Sequence, residues 1–122
     1  MSDLHGLGPQ GERYAMELLR ERGHRLLERN FRCPVGELDL VTWDRGTLVF
    51  VEVRTHQATE GRNPAESISP AKIRRLGRAA QWYLSKRARR RALPPCRFDV
   101  VWLEARGTRI EGGGVIEGAF SI

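Results

Sequence analysis

The sequence predicts an α/β fold, a mixed β-sheet flanked by α-helices in the order helix, strand, strand, strand, helix, strand. Three observations carry this expectation. Two strand-like runs, Gly36-Glu-Leu-Asp-Leu-Val-Thr-Trp43 and Thr47-Leu-Val-Phe-Val-Glu-Val-Arg54, stand either side of a turn. A long helical pattern begins at Pro70, and an alternating run over residues 97–104 follows it. A meander followed by a crossover helix gives a mixed sheet with helices packed against it.

Residues 9–22 read as the first helix, with Pro9 in the first turn and Gly23 after the last. Tyr14, Ala15, Leu18 and Leu19 form its apolar stripe. Glu12 projects nearly in line with Leu19, toward the buried edge, whereas Glu17 and Glu21 point outward. A first-turn Glu also serves the helix dipole; the pattern supports both readings equally. Residues 24–31 read as a strand centred on Leu26 and Leu27, and Arg32 to Val35 as a turn around Pro34. A hairpin spans residues 36–55, with Asp44, Arg45 and Gly46 turning the chain. The polar stretch 56–69 is long for a structureless connection, which marks it as functional or mobile. His56, at its start, reads as an ordinary surface residue.

Ser69-Pro70 supplies an N-cap followed by Pro at the first helical position. The second helix runs to Arg87, with Ile73, Leu76, Ala80, Tyr83 and Leu84 inward. Residues 87–91 form a basic loop that Pro94-Pro95 ends. In the strand 97–104, Phe98, Val100 and Trp102 line one face and Asp99, Val101 and Leu103 the other. The tail, with Gly112-Gly-Gly114, reads as a hairpin or an irregularly ended strand.

At 122 residues the chain is expected to form one domain, 1–122, with room for a core. No apolar run approaches the ~20 residues of a membrane span. The first ten residues lack a basic and an apolar stretch, so no secretory signal is read there. Cys33 and Cys96 are too few for a disulfide scaffold or a four-ligand zinc site. They read as free thiols in a reducing cytoplasm.

Charge is informative by location. Residues 67–98 hold ten cations and no acid: Lys72, Arg74, Arg75, Arg78, Lys86, Arg87, Arg89, Arg90, Arg91 and Arg97. The whole chain carries a net +6. A charge run is usually a solvated helix face; one without interspersed acids is the footprint of a polyanion binder. Nucleic acid is the expected partner. Only Lys72 and Lys86 stand against nineteen Arg.

The hairpin carries the chemistry. An Arg45-Gly46 loop pairs Trp43 with Leu48, Val41 with Phe50 and Asp39 with Glu52. A one-residue slip would part the two acids. Opposite residues lie only ~4.5–5.5 Å apart at Cβ, and like charges there destabilise a sheet. At ~5 Å the repulsion is roughly 3 kcal/mol for an effective dielectric near 20. A divalent cation such as Mg²⁺ relieves it, taking oxygen ligands from one or two carboxylates. Alternation puts Arg54 on the face of Glu52, so two acids and a cation converge.

Glu12 on the first helix, Asp39 on the second strand and Glu52-Val-Arg54 on the third together resemble the PD-(D/E)XK nucleases, which share the restriction-endonuclease-like fold. Within them the chain is similar to archaeal Holliday-junction resolvases and, nearer still, to the uncharacterised bacterial YraN-like family. That likeness covers nearly the whole chain. It rests on Gly11-Glu12, Arg29-Asn30, Gly36-Glu-Leu-Asp-Leu-Val41, Leu48-Val-Phe-Val-Glu-Val-Arg54, Lys72-Ile-Arg-Arg-Leu76, Ala80 with Tyr83-Leu84, and Arg97-Phe-Asp-Val-Val101.

The resemblance implies phosphodiester hydrolysis assisted by Mg²⁺ or Mn²⁺. Asp39 and Glu52 would hold the metal with the Val53 carbonyl, and Glu12 would complete the acidic site. Residue 54 would orient the attacking water or stabilise the developing charge. Apart from the resemblance, the acid-free basic run offers Lys72, Arg75, Arg78, Arg87, Arg89, Arg90 and Arg91 as the nucleic-acid contacts, DNA being the expected kind. The resolvases bring with them a homodimer, matched to the symmetry of a four-way junction. The chain departs from the motif at Arg54, where the superfamily has Lys. Arginine stays charged and cannot act as a base, but it can donate two hydrogen bonds to a phosphate. Lys72 is a second candidate to reach the site from the helix. The leading reading is a metal-dependent nuclease for branched or structured DNA. A non-catalytic nucleic-acid-binding protein of the same fold is the alternative, and an accessory subunit of a larger DNA-processing assembly is the third.

Overall fold

In a computed structural model, residues 8–61, 68–88 and 92–121 are described. The elements are α1 (Gly8–Glu21), β1 (Arg25–Cys33), β2 (Gly36–Asp44), β3 (Thr47–Gln57), a 3-10 turn (Ala58–Glu60), α2 (Pro70–Ala88), β4 (Cys96–Arg106) and β5 (Arg109–Phe120). The five strands lie in one sheet in sequence order. β3 and β4 are parallel, joined by the α2 crossover, and every other pair is antiparallel. The expected order of the restriction-endonuclease-like core is present, extended by β5.

Local chemistry explains the element ends. Gly23, at φ +95°, terminates α1. Its N–H donates to the Arg20 carbonyl at 2.9 Å, and the His24 N–H donates to the Leu19 carbonyl at 3.0 Å. These are the two bonds of a Schellman stop, for which glycine is favoured. Arg45 and Gly46 both have positive φ, +51° and +84°, the two-residue hairpin turn that matches strand twist. At α2 the Ser69 hydroxyl accepts the Lys72 N–H at 3.1 Å, the N-cap expected from sequence. β3 continues to Gln57, two residues beyond the expected hairpin end, so His56 lies within a strand. Of the polar stretch expected over residues 56–69, residues 62–67 lie outside the described residues.

Each face of the sheet is covered by one helix. α2 packs Leu76, Ala79, Ala80 and Tyr83 against Phe31, Leu38, Val41, Leu48 and Phe50. Tyr83 meets Phe31 and Phe50 edge-on, with ring centroids 5.1 and 5.9 Å away, the favoured aromatic geometry. α1 packs Ala15 and Leu19 with Leu40, Val49, Val51, Val53, Val101 and Leu103 on the other face. Phe98 sits in the first cluster and Val101 and Leu103 in the second, the alternation expected of this strand.

β5 settles the reading of the tail: it is a full strand paired with β4. Its glycines are why. A Cβ at Gly113 would collide with the Trp102 carbonyl oxygen, and one at Gly114 would lie 2.9 Å from the Trp102 indole nitrogen. The run lets β5 cross close over Trp102.

Candidate functional site

The β2–β3 register is the one that turn length demands: Trp43 faces Leu48, Val41 faces Phe50 and Leu40 faces Val51. Asp39 and Glu52 come next in line, and both are buried, at 7% and 3% exposure. Here the ladder gives way to a side chain. The Val53 N–H donates to Asp39 Oδ2 at 2.8 Å. A strand residue turns its N–H and C=O to the same neighbour, so the Val53 carbonyl also faces the Asp39 side. Two carboxylates thus interact beside the Val53 backbone.

Glu52 is the strained member. Its Oε2 is buried and accepts no hydrogen bond. Lys72 Nζ lies 3.4 Å from that oxygen, an ion pair without hydrogen-bond geometry. Burial and the Asp39 carboxylate push the Glu52 pKa up to about 8, while Lys72 and Arg54 pull the other way. Even with Lys72 beside it, the carboxylate is under-compensated.

The Ser69 cap fixes where α2 begins, which sets Lys72 over Glu52. Arg54 is half-buried, on the next residue of β3 that shares the Glu52 face. The cation in contact with the acid is therefore Lys72, from another element, with Arg54 acting from further along the strand.

Glu12 stands apart from the two acids. Its Oε1 accepts from Asn30 Nδ2 at 3.3 Å. Asn30 falls between Arg29 and Phe31, which pair with Leu40 and Leu38, so it lies across from Asp39. It holds φ +54°, a left-handed conformation that Asn tolerates better than most residues. Asn30 thus ties α1 to β1 at the position across from Asp39, a role that no motif in the sequence assigns to it. Its signal was the amide side chain in the middle of a strand. Among the described residues, no three His, Cys, Asp or Glu side chains are grouped as a metal site.

The expected nucleic-acid residues divide. Arg75 and Arg78 are exposed on α2. Arg87 belongs to the last turn of α2, and Arg89, Arg90 and Arg91 lie outside the described residues. Arg97 does not join the basic surface: it donates to Asp44 at 2.7 Å and to Asp99 at 3.0 Å. Asp99, fully buried, also accepts the Gly118 N–H at 2.9 Å. Asp44 lies 3.6 Å from His24 Nε2, and His24 Nδ1 bonds the Thr42 hydroxyl at 2.7 Å. This satisfied network ties β2, β4 and β5 together. A hollow of about 960 Å³ lies elsewhere, along Arg13, Glu17, Glu21 and Ile110, away from the acids. No helix among the described residues is long and apolar enough to cross a membrane.

Residues 11–103 match the model of the Uncharacterised protein family UPF0102. A UPF0102 protein of Moorella thermoacetica is 46% identical over 115 residues, 93% of both chains. One from Syntrophotalea carbinolica is 45% identical over 105 residues, 86% of this chain and 84% of its own. One from Stutzerimonas stutzeri is 45% identical over 107 residues, 88% of each chain. The match runs from Gly11, in the first turn of α1, to Leu103 and includes Glu12, Asp39, Glu52 and Lys72, so the chain belongs to the UPF0102 family.

Proposed function

We propose that the protein is a metal-dependent nuclease that hydrolyses phosphodiester bonds in structured or branched DNA. The observation that carries this reading is the buried Asp39–Glu52 pair, with Lys72 Nζ 3.4 Å from Glu52 Oε2 and the Val53 backbone turned toward Asp39. The donor set suits Mg²⁺ or Mn²⁺: hard oxygens, at least one of them buried without a hydrogen bond. Asp39, Glu52 and the Val53 carbonyl would hold the ion. When bound, it supplies Lewis-acid activation of water and of the phosphoryl group.

The remaining work falls to the chain. Hydrolysis joins a water oxygen to phosphorus and breaks one P–O ester bond. Negative charge builds on the phosphoryl oxygens as it proceeds. Lys72 brings three rotatable donors to that charge, and Arg54 a planar pair. Lys72, 27% exposed at its side chain and held by Glu52 at 3.4 Å without a hydrogen bond, is the ammonium that would donate to a phosphate placed beside Glu52. Arg54 does not act as a base, since it stays protonated. Asn30 donates to Glu12, fixing that carboxylate on the α1 side of the sheet. The exposed arginines of α2 anchor the substrate backbone. A homodimer would follow from a two-fold symmetric junction as substrate.

The test is cleavage of linear, flapped, forked and four-way DNA with Mg²⁺, with Mn²⁺ and with chelator. Metal-dependent cleavage that Asp39→Ala abolishes is expected. Metal-independent cleavage, or cleavage equal in the variant, overturns the reading. Tight binding of all four substrates with no cleavage assigns the chain to the non-catalytic alternative.

A further inference from the structure

α2 presents an unusual flank. Lys72, Arg75, Ala79, Trp82 and Lys86 follow one another at helical spacings of three and four, which places them in one stripe. Ala79 is buried, but Arg75 and Lys86 are exposed. Trp82 is 37% exposed, one of three large apolar side chains so placed among the described residues. Arg78, exposed, sits one turn before it. The stripe starts at the ion pair with Glu52 and leads away from it along the helix.

Tryptophan is enriched where a surface meets a partner, and Trp82 keeps over a third of its area open to one. Two partners compete. A protein interface admits Arg beside its aromatics but depletes Lys and charge as a whole at its core. Trp82 instead stands among Arg75, Arg78 and Lys86, in a segment without one acid from residue 67 to 98. Two copies joined through this face would bring like charges together. Cations interleaved with an aromatic are what single-stranded nucleic acid requires, the cations for phosphates and the ring for a base.

We infer that this flank of α2 is a track for unpaired nucleic acid, on which a base stacks against Trp82. The inference deepens the nuclease reading and rests on it for the direction of the strand. Lys72 to Trp82 spans roughly 15 Å of helix at 1.5 Å per residue. That is about four nucleotides at the ~3.4 Å stacked spacing. The substrate class is accordingly a strand with several unpaired nucleotides next to the scissile bond, such as a flap or a frayed branch. A perfect duplex buries its base faces and offers Trp82 nothing to stack on.

The experiment is equilibrium binding in chelator, where no cleavage occurs, of a short labelled single strand and of a blunt duplex of the same sequence. The wild type, Trp82→Phe and Trp82→Ala are compared across salt concentrations. Trp82→Ala is expected to lose at least about fivefold in affinity for the single strand, the lower end of the stacking contribution. It should lose less than about twofold on the duplex, where only phosphate contacts operate, with an unchanged salt slope. Trp82→Phe should retain most of the single-strand affinity while losing a large share of the tryptophan fluorescence quenching that the strand produces. That second readout needs no alanine variant to fold.

Equal affinity of wild type and Trp82→Ala for the single strand overturns the track. So does equal loss on both substrates, or a Trp82→Ala phenotype confined to self-association, which would assign the ring to an interface between copies. The nuclease reading fails separately, on cleavage with metal. Binding with the expected Trp82 signature but no cleavage leaves the track standing. A wild type that binds neither the single strand nor the duplex overturns the track, and the nuclease reading is still decided by cleavage with metal.

Discussion

Glu52 holds a carboxylate in the interior between one acid and one ammonium, and its proton should be visible in stability. Its pKa rises from 4.5 to about 8. Between those values the metal-free native chain keeps a proton that the unfolded chain has released. Stability therefore falls as pH rises through the window, by on the order of 1 kcal/mol per pH unit. Thermal melts in chelator from about pH 5 to about pH 8 should show the decline, and Glu52→Gln should flatten it. His24 contributes with the opposite sign. Burial lowers its pKa below 6.5, so its share is lost as pH falls through that value, and this arm should survive in Glu52→Gln. For catalysis, Lys72→Ala and Arg54→Ala should each lower cleavage at least about tenfold, a loss near 1.4 kcal/mol of transition-state stabilisation. Arg54→Lys, which restores the motif type, should retain or raise the rate. Full activity in Lys72→Ala would leave that ammonium a structural counter-ion only. Asp39 and Glu52 were legible from turn length and alternation. The Asn30 link to Glu12 was not, because it depends on a helix 18 residues earlier folding over a left-handed strand residue.

At the scale of elements, β5 departs furthest from propensity. Glycine is depleted in strands, and Gly112-Gly-Gly114 leaves a hairpin and an irregularly ended strand both open until Trp102 is seen beneath it. Gly113→Ala would drive a methyl group against the Trp102 backbone. It should cost ~1–3 kcal/mol, the range for overpacking, as measured by urea unfolding. Gly112, where an added Cβ meets nothing within 4 Å, is the control, and Gly112→Ala should stay near neutral. If both variants lose equally, chain flexibility rather than close approach explains the glycines. α2 is the opposite case, since Ser69-Pro70 announces its start. Ser69→Ala should cost about 1 kcal/mol. The same change loosens Lys72 over Glu52, coupling a helix cap to the site.

For the whole molecule, charge and metal are the measurable quantities. Mg²⁺ or Mn²⁺, on the order of millimolar, should raise the melting temperature of the wild type. It should leave Asp39→Asn combined with Glu52→Gln unmoved, and without metal that variant should be no less stable above about pH 8, where the wild type carries both facing charges. An equal metal response in both would place the ion elsewhere. Neutralising Arg75 and Arg78 should flatten the salt dependence of duplex binding by up to ~0.9 per lost phosphate contact. Neutralising Arg87, Arg89, Arg90 and Arg91 should do the same if that basic run holds DNA. An unchanged slope in both folded variants would make the arginines a solvated surface.

Much of this protein was determined by sequence alone. Element order, the hairpin register and the α2 cap follow from local rules, because turn length, alternation and capping act over a few residues. The pairing of Asp39 with Glu52 is of this kind, needing only the two-residue turn between them. Tertiary structure decided the rest. It brought Lys72 to Glu52 across 20 residues of chain, linked Glu12 to Asn30, and turned Arg97 inward onto Asp44 and Asp99. Charge composition could not separate Arg97 from Arg75 or Arg78. A side chain's partner is chosen by packing between elements, and that is set by shape and burial over distances that no local pattern encodes.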